Sequence, residues 1–176
     1  YPSIQAAVDV AVTSALPAVV VAPGVYNECL SFPESFTGVR VMGEFATNRP
    51  VLFMTNNPGN LVSFRGSGFL ENFVRRNIGT GGVGRAVSLE TDSVRAGFRI
   101  CEFSGNAGNS EVFAIGVTNL FPSFNLCFYM DDVHFLNNTS NTEVLPIGDG
   151  PFNSGMEPWN WMNRCRFVGN TNSRTL

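Results

Sequence analysis

Three stretches of this chain repeat one pattern: Cys101-Glu-Phe103-Ser-Gly-Asn106, Val133-His-Phe135-Leu-Asn-Asn138 and Cys165-Arg-Phe167-Val-Gly-Asn170. Each reads small-x-Phe-x-x-Asn, and the Phe positions 103, 135 and 167 step by 32 residues. A weaker relative runs from Phe73 to Asn77. Between these motifs lies a second set of apolar strands, Ala86-Val-Ser-Leu89, Phe113-Ala-Ile-Gly-Val117 and Val144-Leu-Pro-Ile147. A repeat of this length, with several short strands and no helix, predicts a solenoid whose equivalent strands stack about 4.8 Å apart. Phe then stacks inside, and Asn takes the corner, where it tolerates a left-handed backbone. Alternation turns Cys101, Val133 and Cys165 inward with the three Phe. The same register sets Asp132 beside Arg164, and His134 between Glu102 and Arg166. Such an exposed ladder of complementary charges is worth about 0.2–1 kcal/mol per pair.

Working toward the N-terminus, Ile4, Ala7, Val8, Ala11, Val12 and Ala15 recur at helical spacing, which predicts a helix over Ser3 to Leu16. Ser3 is the expected N-cap and Pro17 the stop. Ala18 to Ala22 reads as a buried strand closed by Pro23-Gly24. Tyr26 to Phe32, Gly38 to Gly43 and Val51 to Met54 read as further short strands. The expected organisation is one all-β domain over 1–176: a helical cap at 1–17, first coils at 18–67, repeats at 68–176.

Of the 176 residues 44% are hydrophobic, which excludes a disordered chain. There are 16 Phe and 18 Gly, a mixture that suits strands joined by tight corners. All 11 basic residues are Arg against 14 acids, a net charge of −3, so nothing points to nucleic acid or an anionic membrane. No apolar run approaches the roughly 18 residues of a membrane-spanning helix, so no membrane insertion is expected. The chain opens on Tyr1, and Arg164 to Asn170 still read as strand and corner. A processed chain or a segment of a longer protein is therefore expected, its open edge covered by more chain or a neighbouring subunit.

Cys29, Cys101, Cys127 and Cys165 form no CxxC pair and there is one His, so no zinc site is expected. Cys101 and Cys165, two turns apart at roughly 10 Å, are too distant for a disulfide, and the cysteines read as buried thiols. No metal or cofactor is expected. The glycine-rich Gly79-Thr-Gly-Gly-Val-Gly84 lies outside any strand-to-helix junction and reads as a corner rather than a phosphate cradle.

Tyr1-Pro-Ser-Ile-Gln-Ala-Ala-Val-Asp9, Val19-Val-Val-Ala-Pro-Gly-Val-Tyr26-Asn-Glu and Val39-Arg-Val-Met-Gly43 resemble the entry of the pectin lyase-like superfamily. Gly68-Phe-Leu, Asn77, Gly84-Arg-Ala-Val-Ser-Leu89 and Phe98-Arg-Ile-Cys101-Glu-Phe103 are similar to pectin methylesterases in particular. The resemblance covers most of the chain and implies a right-handed parallel β-helix of about five coils with an N-terminal α-helical cap. The Phe-x-x-Asn tetrads are also similar to repeats of bacterial and algal surface β-helices, which implies adhesion or assembly. A methylesterase of this family needs paired carboxylates and a Gln-lined oxyanion site. Here Arg85 stands where the first Gln is expected, and Asn106-Ala-Gly-Asn109 carries no carboxylate. Asp132-Val-His-Phe-Leu-Asn137 matches the nucleophile motif only at Asp132, Phe135 and Asn137. Were the chain an enzyme, Asp132, Asp131 and Arg164 would be its candidates. Asp131 and Asp132, adjacent on a strand, face opposite sides and do not make a cation site.

Trp159 and Trp161 alternate in Glu157-Pro-Trp-Asn-Trp161, placed either to stack on a sugar ring or to pack over the side of the coil. Asn137-Asn-Thr139 and Asn138-Thr-Ser140 are overlapping glycosylation sequons, which makes Asn137 and Asn138 candidate glycan carriers. These features favour a non-catalytic structural or binding module, a rigid rod on a secreted, cell-surface or virion protein. Its expected partner is polysaccharide or other protein subunits. The alternatives are a carbohydrate-active enzyme on acidic polysaccharide, an esterase or a lyase, and a phage tailspike or decoration domain.

Overall fold

The Ser3 hydroxyl accepts a hydrogen bond from the Ala6 amide at 3.1 Å and starts the single helix among the described residues, α1 (Ile4–Thr13). Its first amides, those of Ile4 and Gln5, are held at 2.9 and 3.0 Å by the two carboxylate oxygens of Glu28. Ile4, Ala7, Val8 and Ala11 face the core. The helix ends three residues short of the expected Leu16, because Ala15 turns left-handed at φ 52° before Pro17. The computed structural model describes residues 1–34, 38–45, 48–55, 59–78, 86–89, 95–107, 109–111, 113–114, 127–143 and 161–172.

Among the described residues, everything else of regular form is parallel sheet. In the ten-stranded sheet, Ala18–Val21, Val39–Gly43, Gly68–Glu71, Arg95–Ser104, Cys127–Leu136 and Trp161–Asn163 pair in succession. Val25–Tyr26, Val51–Thr55 and Val74–Ile78 join the same sheet through Glu102 and Phe103, and Arg166–Val168 continues it from His134 to Leu136. A four-stranded sheet runs through Leu30–Phe32, Val62–Phe64, Val87–Leu89 and Phe113–Ala114. A third holds Asn109–Glu111, Thr139–Glu143 and Thr171–Asn172. The expected single strand over Tyr26 to Phe32 is two strands in different sheets, with a corner between them that carries Glu28 to the helix.

The 32-residue step holds where the Phe motifs lie: Phe103 pairs with Phe135, and Phe135 with Phe167. Earlier steps are shorter, as Gly68 with Ala96 and Ala18 with Arg40 show. The rings of Phe103, Phe135 and Phe167 stack almost face to face, centroids 4.6 and 4.8 Å apart, close to the spacing of neighbouring strands. Phe32 and Phe64 form a second such pair at 4.4 Å. Val41, Leu52, Leu61, Leu70, Phe73 and Met130 complete a core without water access.

Two series of left-handed residues bend the strands. One comprises Asn72, Ile100, Asp132 and Arg164, with φ between 50° and 59°; the other comprises Gly105, Asn137 and Gly169. The corner therefore falls on the residue before the repeated Asn, not on that Asn. Asn106, Asn138 and Asn170 instead turn their amides along the stack. Asn138 Oδ1 accepts from Asn106 N and Nδ2 at 3.1 and 2.7 Å, while its Nδ2 donates to Phe103 O at 2.9 Å and Asn170 Oδ1 at 2.8 Å. Asn170 Nδ2 repeats the bond on Phe135 O. This ladder satisfies backbone groups at a buried corner that would otherwise stay unpaired.

Candidate functional site

The bend at Ile100, Asp132 and Arg164 brings the charged residues of successive repeats onto one outer face. Along it, Glu71, Arg99, Asp131 and Asn163 occupy paired positions. Arg99 Nη1 donates to Glu71 Oε1 at 3.0 Å, and Arg99 Nε lies 4.0 Å from Asp131 Oδ2. Arg164 Nη2 donates to both carboxylate oxygens of Asp131 at 2.9 Å, and Asn163 Nδ2 adds a bond at 3.1 Å. The Asp132 to Arg164 contact expected from simple stacking is thus an Asp131 to Arg164 contact. Positive φ at both 132 and 164 rotates those side chains out of strand alternation. Asp131, expected to face away, is buried beneath the guanidinium, and Asp132 pairs with His134 Nε2 at 3.2 Å.

On the other side of the bend, His134 lies in register between Glu102 and Arg166, as expected. Glu102 is taken by Arg49, Nη2 to Oε2 2.7 Å, while Arg49 Nη1 reaches Ile100 O at 3.4 Å. The face is a set of acid–base pairs rather than a cleft of convergent carboxylates. Among the described residues no three His, Cys, Asp or Glu side chains come together as a ligand set.

Two residues along the same strands, a column of aromatic side chains runs beside these charges. Arg40, Phe69, Gly97, Tyr129 and Trp161 are successive register partners. Gly97 leaves room here: a Cβ would sit 2.2 Å from the Phe69 ring, which leans over the glycine toward Tyr129, centroids 6.1 Å apart. Trp161 stacks on Tyr129 at 4.6 Å with an interplanar angle of 10°, and 46% of it is exposed. Arg40 closes the column, its guanidinium carbon 5.7 Å from the Phe69 centroid. Trp159, Gly79 to Gly84 and Val144 to Ile147 lie outside the described residues.

Of the two sequons, Asn138 is fully buried with its amide nitrogen engaged in the ladder, whereas Asn137 is exposed at its corner. Cys101 is buried, Cys165 is half-buried against the core, and Cys29 is exposed, contrary to the expectation of burial. The Cys29 corner leads out toward the helix-capping Glu28 rather than into the stack. Burial pushes the Cys165 thiol up from its ordinary value.

One residue with unusual chemistry was not legible in the sequence. Arg75 is wholly buried, and by geometry Nε, Nη1 and Nη2 meet no hydrogen-bond acceptor among the described residues. Its guanidinium carbon lies 3.9 Å from the Phe103 centroid and 5.3 Å from that of Phe98. Burial lowers its pKa from the ordinary arginine value, opposed in part by the neighbouring Cys101 thiol. An Arg-Arg pair in a polar stretch gives no hydropathy signal for one inward side chain. No family model, curated protein or solved structure matches this chain.

Proposed function

We propose that the chain is a right-handed parallel β-helix of the pectin lyase-like kind, acting as a non-catalytic module that binds polysaccharide along its outer face. The observation that carries this reading is the Phe69–Tyr129–Trp161 column set beside the Asn163 amide and the exposed Arg164 guanidinium. The apolar face of a pyranose stacks on an indole, while its equatorial hydroxyls meet polar groups placed at the ring edge, the usual division of labour in ligand sites. Trp161, 46% exposed and stacked on Tyr129, is the ring that offers a face to the sugar. Such a rod suits a secreted, cell-surface or virion protein. Asp131, Glu71 and Glu102 are each paired with an arginine, which leaves Asp132, beside His134, as the carboxylate that the esterase or lyase alternative would use.

A glycan-array screen with product analysis on pectin and other uronic-acid polymers tests the reading. Binding without product, lost at least tenfold in Trp161→Ala with its circular dichroism unchanged, is the expected result. Binding unaffected by Trp161→Ala overturns the site. Released methanol or unsaturated oligosaccharide, abolished by Asp132→Asn, overturns the non-catalytic role.

A further inference from the structure

The corner that follows Cys127–Leu136 sets two asparagines side by side in opposite surroundings. Asn138 has no exposed surface, and its Nδ2 commits both N–H groups inside, to Phe103 O at 2.9 Å and to Asn170 Oδ1 at 2.8 Å. Asn137 is exposed at φ 52°, and its side chain enters no hydrogen bond among the described residues. The main chain holds this corner without it: Gly105 N donates to Leu136 O at 3.1 Å, and Asn137 N to Val168 O at 2.8 Å.

The stack leaves room around that carboxamide. One repeat earlier and one repeat later the same corner is Gly105 and Gly169, both left-handed at φ 61° and 64°. A Cβ built on Gly105 meets nothing within 4 Å, so the space on that side is open. A Cβ on Gly169 would collide with Asn137 Oδ1, so the carboxamide lies over a residue that has no side chain to displace it. Thr139 is exposed as well, its hydroxyl 3.2 Å from that of Thr171. The fold therefore tells the two overlapping sequons apart. A sugar on Asn138 Nδ2 would remove one of two buried hydrogen bonds and force a bulky polar group into a closed corner. A sugar on Asn137 Nδ2 breaks no bond and stands in solvent.

We propose that Asn137 is a site of N-linked glycosylation and that Asn138 is not. Asn137 Nδ2 attacks the anomeric carbon of a polyprenyl-diphosphate-linked oligosaccharide, and a C–N bond forms as the C–O bond to the diphosphate breaks. The lipid diphosphate leaves with that electron pair, and the amide proton passes to a base of the transferase. The proposal rests on the secreted or cell-surface part of the reading above. It does not use the polysaccharide face, because Asn137 lies beyond the bend at Asp132, off the strand segments that carry Tyr129 and Trp161. The polysaccharide reading has its own test on Trp161, so either can fail alone.

The test directs the full chain into a eukaryotic secretory pathway behind an added signal peptide, so acceptor use is read whatever the chain's own destination. The expected product carries one oligosaccharide, lost on treatment with peptide N-glycosidase, and peptide mapping places it on Asn137. Ser140→Ala removes only the Asn138 sequon and leaves the occupancy unchanged. Thr139→Val removes only the Asn137 sequon, and the secreted chain then carries no glycan. Asn137→Gly abolishes the modification with circular dichroism unchanged, without touching Thr139. A wild-type chain recovered from that pathway without a glycan overturns the proposal. So does folded, secreted protein that carries its glycan on Asn138.

Discussion

The Arg75 guanidinium lies 3.9 Å from the centroid of the Phe103 ring, in the register position that phenylalanine fills in the three following repeats. A flat cation thus begins the stack that Phe103, Phe135 and Phe167 continue. Ring attraction of about 2 kcal/mol for a desolvated cation offsets only part of the cost of burying a charge.

Replacing Arg75 with an apolar side chain of similar length is therefore expected to stabilise the fold. Arg75→Met raises the unfolding free energy by about 1–3 kcal/mol in urea denaturation. Arg75→Ala leaves a void beside Phe98 and Phe103 and lowers it by about 2–4 kcal/mol. A Met variant less stable than the parent would show that the guanidinium finds an acceptor in solution.

Asn137 and Asn138 are adjacent, chemically identical and structurally opposite. Asn138→Ala strips partners from the Asn106 amide and from Phe103 O inside a buried corner, at about 2–5 kcal/mol. Asn137 sits exposed at φ 52°, so Asn137→Gly changes stability by less than about 1 kcal/mol. Equal costs in the same denaturation experiment would refute the ladder.

Ile100 holds φ 50°, a conformation that β-branched side chains resist. The equivalent position one repeat earlier is Asn72, whose amide bonds Gly43 O and Glu44 O. Ile100→Asn is expected to relieve strain and raise the melting temperature, with a gain of about 1 kcal/mol. A lower melting temperature would mean that the apolar contacts of Ile100 outweigh the strain.

Thiol reactivity separates the cysteines. Cys29, exposed, is alkylated first; Cys101, at 1% exposure, reacts only on unfolding. Cys165 reacts slowly near neutral pH, because burial raises its pKa and depletes the thiolate, and its rate climbs as the pH rises. The sign for stability follows: the folded thiol holds its proton more tightly than the unfolded one, so its contribution is present below the unfolded pKa and fades as pH rises through the folded value. Peptide mapping after timed alkylation reads all three, and a Cys165 faster than Cys29 would contradict the placement.

Much of the sheet was legible because the Phe-x-x-Asn motif repeats at constant length, which fixes register without any knowledge of corners. Cys101, Val133 and Phe135 point inward as alternation requires. The earlier repeats escaped because their lengths vary, and a period is visible only when it is constant. Asp131 and Asp132 exchanged roles because Ile100, Asp132 and Arg164 do not advertise a positive φ as glycine does. In the aromatic column only Trp161 drew attention. Phe69 and Tyr129 belong to distant stretches that meet through a register involving Gly97, a residue without a side chain to notice.

The Asn106–Asn138–Asn170 ladder has a consequence for how the protein meets its surroundings. An amide has no proton to gain or lose in the range of natural waters, and its bonds here carry no net charge for salt to screen. The spine is therefore indifferent to acid and brine, conditions that loosen the carboxylate–guanidinium pairs on the outer face. Those pairs can loosen with the medium while the amide ladder beneath keeps its bonds.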